Sequence, residues 1–87
     1  MNVIPEKPKL SRLFRMQWEE AQSCWVLLYP EGMVKLNQSA GEILQRCNGE
    51  RDVDAIVSEL ESAFSVTGLL PDVKDFLNGA VERGWIV

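Results

Sequence analysis

The chain has no histidine among its 87 residues. This removes the commonest general base and the commonest neutral metal ligand. Its two cysteines, Cys24 and Cys47, do not fall at zinc-site spacings, and no glycine-rich phosphate loop occurs. Ser11, Ser23, Ser39, Ser58, Ser62 and Ser65 have no partner pattern that would activate a nucleophile. No run approaches the ~20 apolar residues that span a bilayer, and residues 1–8 lack the apolar stretch of a secretory signal. A cytoplasmic protein is therefore expected, with two buried thiols rather than a disulfide. Positive charge is scarce as well. The net charge is −4, and residues 36–87 hold four basic groups against nine acidic ones. Such a half repels phosphate backbones, so no nucleic-acid partner is expected, and neither metal nor cofactor is implied.

What is present is a globular composition, 46% hydrophobic, in a length that makes one domain. Residues 1–9 carry two prolines and no period, and read as a flexible lead-in; residues 10–87 read as the domain. From Leu10 a period of two places Phe14, Met16 and Trp18 on one face of a strand. Residues 24–29 are apolar on both faces, as in a central strand, and Pro30 ends them. Alternation resumes over residues 33–36, with Val34 and Leu36 inward. The period then becomes 3.6. Asn37 caps a first helix with the stripe Ala40, Ile43, Leu44 and Cys47, followed by Gly49 in the left-handed position. Asp52 caps a second helix with Val53, Ile56, Val57, Leu60 and Phe64. Pro71 opens a third, with Val73, Phe76, Leu77, Ala80 and Val81, and residues 85–87 form an apolar extended tail. The expected fold is α+β and winged helix-turn-helix-like: a three-stranded antiparallel β-meander followed by three α-helices.

Candidate chemistry is thin. Asp52/Asp54 and Asp72/Asp75 stand at helix starts, where negative charge stabilises the N-terminus. Cys47 sits in a core stripe, and Trp18, Trp25 and Trp85 fall where packing explains them. No catalytic residue is nominated, and an enzyme is not expected. The winged-helix layout raises a DNA-binding regulator, but the third helix sets Lys74 and Arg83 against Asp72, Asp75 and Glu82. The remaining feature is the outer strand, Met33, Val34, Lys35 and Leu36, guarded only by Lys35. A groove between it and the third helix would take a peptide as an added strand, with Gly79 marking close approach of another backbone. The other reading is an idle edge hidden by its own helix. Self-pairing of two copies through this edge is a further expectation.

The run WVLLYPEGMVKLN at residues 25–37 resembles the W-V-L-L-x-P-E-x-x-x-x-L-N stretch of the PqqD family. Ala40, Ile43, Leu44, Cys47 and Gly49 match its A-x-x-I-L-x-x-C-D-G helix, with Asn48 in place of the Asp. Asp72, Val73, Phe76, Leu77, Gly84, Trp85 and Ile86 match its closing pattern, and the resemblance runs from about residue 8 to 87. It implies a peptide chaperone of pyrroloquinoline quinone (PQQ) biosynthesis. Such a protein binds the ribosomal precursor PqqA and presents it to the radical S-adenosylmethionine (radical SAM) enzyme PqqE, which cross-links a Glu and a Tyr. Similar domains recognise leader peptides in other modified-peptide pathways, adding the leader to the third strand against the third helix. Carried over, the peptide-binding positions are Met33, Val34, Lys35 and Leu36, with Phe76, Leu77, Ala80 and Arg83 on the helix. Phe76, Leu77 and Ala80 are equally readable as core residues that floor the groove.

Overall fold

The alternating and doubly apolar runs form three strands, β1 (Arg15–Glu19), β2 (Cys24–Tyr29) and β3 (Gly32–Lys35), in a computed structural model that describes residues 3–87. Met1 and Asn2 of the expected lead-in lie outside the described residues. The sheet order is β1-β2-β3, antiparallel throughout. Three helices follow: α1 (Gln38–Gln45), α2 (Val53–Phe64) and α3 (Leu70–Glu82). The α+β meander-then-helices architecture expected from the periods is the one observed.

Cross-strand partners share a face, so the register assigns both sides of the sheet. Met16, Trp18, Trp25, Leu27, Tyr29 and Val34 lie on the helix side. Leu27 is fully buried there against Ile43, Leu44, Ile56, Leu60, Val73 and Leu77. Each such side chain contributes roughly 1.5–3 kcal/mol on burial. Gly41 lets α1 approach: a Cβ there would stand 2.9 Å from the Trp25 ring. Val26, on the other face, is also fully buried, and its cross-strand neighbours are Gln17 and Lys35. Their long stems are suited to covering it while the polar ends stay in water.

Both polar caps form. Asn37 Oδ1 accepts from the Ala40 N–H and Asp52 Oδ1 from the Ala55 N–H, each at 2.8 Å. Arg46 bridges α1 to α2, donating to Glu42 and Glu59, and Arg51 also pairs with Glu59.

Several boundaries differ from the sequence reading. The first strand starts at Arg15, not Leu10, because residues 11–14 turn: Phe14 N–H donates to the Ser11 carbonyl and Leu13 N–H to its hydroxyl. Leu10 pairs instead with Ile86 of the extended tail. Lys9 and Val87 exchange both backbone bonds, at 3.1 and 2.8 Å, and Ser11 N–H donates to Trp85 at 2.7 Å. Backbone pairing therefore begins inside the stretch read as lead-in: Pro8 is fully buried and its carbonyl accepts from Gly49 N–H. Gly49 has a positive φ of 83°, but it serves this turn rather than the end of α1, which closes at Gln45. Phe64 was placed in the α2 stripe yet is 44% exposed. The chain turns away at Ser65, in the left-handed region at φ 53°, before any element covers that ring.

Candidate functional site

The phase of the ladder decides which backbone groups face solvent. Leu36 N–H donates to the Trp25 carbonyl at 2.9 Å, continuing the β2–β3 register by one pair. In an antiparallel pair, residues alternate between turning both backbone groups to the partner strand and turning both away. Leu36 and Val34 therefore bond to β2, and Met33 and Lys35 point their N–H and C=O outward. Among the described residues, no backbone group takes them up. The sheet ends in an open edge at β3.

Beside that edge lies an open cavity of about 520 Å³, lined by Phe14, Tyr29, Glu31, Val34, Arg83 and Trp85. Val34 brings the strand's helix-side face to it. Tyr29, at the end of β2, packs against Phe14 with ring centroids 5.5 Å apart. Arg83 caps the C-terminal end of α3, and its guanidinium lies over the Trp85 ring, 5.5 Å from the centroid. Gly79 makes that posture available, since a Cβ at 79 would sit 2.7 Å from Arg83 Nη1. The glycine thus marks the close approach of a side chain, where another backbone was expected. No carboxylate among the described residues forms an ion pair with Arg83.

The expected site residues divide. Val34 and Arg83 meet at the cavity, while Met33 (47% exposed) and Lys35 offer backbone on the edge and carry their side chains to the opposite sheet face. The side chains of Leu36 (5%), Leu77 (0%) and Ala80 (1%) are buried in the core and do not line the cavity. Phe76 is half-buried against the core. Four lining residues were missed: Phe14, Tyr29, Glu31 and Trp85. A signal existed for the first two, because extending the period of both strands places Phe14 opposite Tyr29.

A smaller cavity of about 250 Å³ lies between α1, α2 and the loop before α3, against Ile43, Leu60, Phe64 and Leu69. It adjoins no strand edge. Trp18 and Trp25 pack edge to face at 5.6 Å, in keeping with the packing role expected of them. Among the described residues no three of Cys, Asp and Glu gather as a metal site, and no helix is long and apolar enough to cross a membrane.

Burial pushes the Cys47 thiol from 9.0 up to about 12. The folded state then holds a proton that the unfolded state releases, so this group erodes stability as pH rises from 9.0 toward about 12. Cys47 is expected to resist iodoacetamide in the native protein at mildly alkaline pH, while half-buried Cys24 reacts first. Mass mapping of the alkylated peptides checks this; native labelling at Cys47 would contradict it.

The family model for coenzyme PQQ synthesis protein D (PqqD) matches residues 24–86. A protein of Azotobacter vinelandii named PqqA binding protein is 55% identical over 85 residues, covering 97% of this chain and 92% of that protein. A protein of Methylococcus capsulatus with the same name is 49% identical over 78 residues, covering 90% and 84%. Among solved structures, the solution structure of the PqqD part of Methylobacterium extorquens PqqCD superposes with a TM-score of 0.72. It is 24% identical and covers 92% of this chain and 87% of that one, which supports the shared fold. That protein is described as a stand-alone recognition element for ribosomally synthesised, post-translationally modified peptides.

Proposed function

The chain belongs to the PqqD family of coenzyme PQQ synthesis proteins, and on that premise we propose that it is a non-catalytic adaptor that binds a PqqA-type precursor peptide as a fourth strand beside β3. The observation that carries the reading is the pair of outward-facing backbone positions, Met33 and Lys35, next to the cavity walled by Val34, Tyr29, Phe14 and Arg83. A strand laid there satisfies the free edge through main-chain bonds. Its alternate side chains fall toward the apolar cavity on one side and toward Met33 and Lys35 on the other. Arg83, held over Trp85, offers a positive charge to an acidic residue of the peptide.

No serine or cysteine of the sequence is paired with an activating base, and the reading gives the chain the role of holding the peptide for a PqqE-type radical SAM enzyme in the cytosol. The same edge was the expected place for self-pairing. The two uses exclude one another, and the reading gives this edge to the peptide.

Calorimetric titration of the chain with a PqqA-type peptide tests this. Saturable one-to-one binding is expected, weakened about tenfold by Arg83→Glu, which loses one charge-assisted contact and adds a repulsion. The peptide's mass should remain unchanged until the radical enzyme and its cofactors are added. Binding of another pathway's leader, with none of the PqqA-type peptide, would favour the alternative assignment within modified-peptide recognition. Covalent change by the chain alone would sink the adaptor reading.

A further inference from the structure

The arginines divide into two sets. Arg46 and Arg51 are paired with the carboxylates of Glu42 and Glu59. Arg12, Arg15 and Arg83 form no ion pair among the described residues, and all three line cavities at one end of the sheet. In a chain of net charge −4 this is a local reversal of sign. Arg83 belongs to the cavity beside β3. Arg12 and Arg15 line a second one, of about 380 Å³, which strand addition at β3 leaves unused.

Local folding places both side chains there. Arg15 opens β1 opposite Leu28, and Leu28 pairs in turn with Met33, so the three stand in one row across the sheet. Arg12 lies in the turn held by Ser11, just before β1. Both arginines are exposed. Phe14 and Tyr29, packed together, line this cavity and the one beside β3 alike, so the ring pair is a wall the two share. Among the described residues no carboxylate lines the second cavity, and Leu13 and Leu28 set apolar surface beside its positive charge. Solvated arginines are ordinary on a surface. Two of them in a concave, partly aromatic notch that adjoins a binding groove are placed to grip a carboxylate, which a guanidinium can hold through two parallel hydrogen bonds.

The peptide in the groove has an end that can reach them. A strand added to β3 in the antiparallel sense of the rest of the sheet runs from Lys35 toward Gly32. Its C-terminal flank therefore leaves the edge at the β2–β3 turn, beside Tyr29. From the added strand to β1 is three strand spacings of about 4.8 Å, roughly 14 Å, which extended chain at about 3.3 Å per residue covers in about four or five residues. We infer that Arg12 and Arg15 form a second subsite for the same peptide, taking a carboxylate about four or five residues C-terminal to the stretch paired with β3. The inference rests on strand addition at β3 and adds selection to it. Main-chain bonds accept almost any sequence, whereas the notch favours an acidic flank.

Calorimetric titration with a PqqA-type peptide tests it, on variants shown by circular dichroism to be folded. Arg12→Gln and Arg15→Gln are each expected to weaken binding about threefold, and the two together about tenfold. Added salt should cost the parent more affinity than the double variant. The arginine effect should disappear against a peptide whose carboxylates C-terminal to the paired stretch are replaced by amides. Lys35→Pro is measured alongside as the check on strand addition. If it weakens binding while the arginine variants bind as the parent does, strand addition stands and the second subsite is overturned. An arginine effect that persists undiminished against the amide peptide overturns the subsite as well. If Lys35→Pro and the arginine variants all bind like the parent, strand addition fails and the subsite falls with it.

Discussion

Lys35→Pro and Met33→Pro are each expected to weaken binding of a PqqA-type peptide by about tenfold while leaving the domain folded. Both residues point their N–H away from β2. A proline there removes a donor that no neighbour in the chain uses, and an edge strand tolerates proline when the lost N–H faces solvent. An added strand loses one main-chain bond, worth about 0.5–1.5 kcal/mol net, and meets the proline ring where its own backbone must approach. Val34→Pro should behave differently. Val34 pairs with Leu27 through bonds internal to the sheet, so its replacement lowers stability first. Affinities measured on variants shown to be folded separate the two cases. Equal binding by the parent and by both edge prolines would place the peptide elsewhere.

Leu77→Ala is expected to cost about 2–5 kcal/mol of stability through the cavity it leaves, since the side chain is 0% exposed in the middle of the core. Against a typical domain stability of roughly 5–15 kcal/mol this is a severe loss, seen as a fall in Tm of roughly 10–30 °C. Peptide affinity should fall only in proportion to the folded fraction. Leu77 matches a family position that the resemblance assigned to peptide binding, and this variant tells support from contact. Thermal denaturation and titration of the same sample give both quantities. A large affinity loss with unchanged Tm would make Leu77 a ligand contact after all.

The architecture was legible because the hydrophobic period changes once, from two to 3.6, at a residue whose side chain caps a helix. Asn37 and Asp52 announced α1 and α2, and Pro71 the first turn of α3. The start of β1 was not legible. Leu10 fits the alternation, but a turn held by Ser11 and a pairing with Ile86, 76 positions away, take it out of the sheet. A local pattern carries no trace of that distant partner. The strand side of the groove was readable as an edge, yet its hydrogen-bond phase was not, because phase depends on which pair closes the ladder and both choices fit one hydrophobic pattern. The helix side was the hardest. Leu77 and Ala80 share a stripe with Phe76, and only the packed structure shows them sealed in the core. Arg83 reaches the cavity because Gly79 leaves space for its guanidinium, a contact between residues one helical turn apart that periodicity does not weigh.

The central claim is strand addition at β3, and backbone amide spectra of the isotopically labelled chain, titrated with a PqqA-type peptide, test it most directly. The amides of Met33 and Lys35 should shift and gain protection from hydrogen exchange as they acquire acceptors, with Val34 and Leu36 already protected in the free protein. Tyr29, Arg83 and Trp85 should shift with them as the cavity fills. Saturable binding that leaves the Met33 and Lys35 amides exchanging as before would contradict the account.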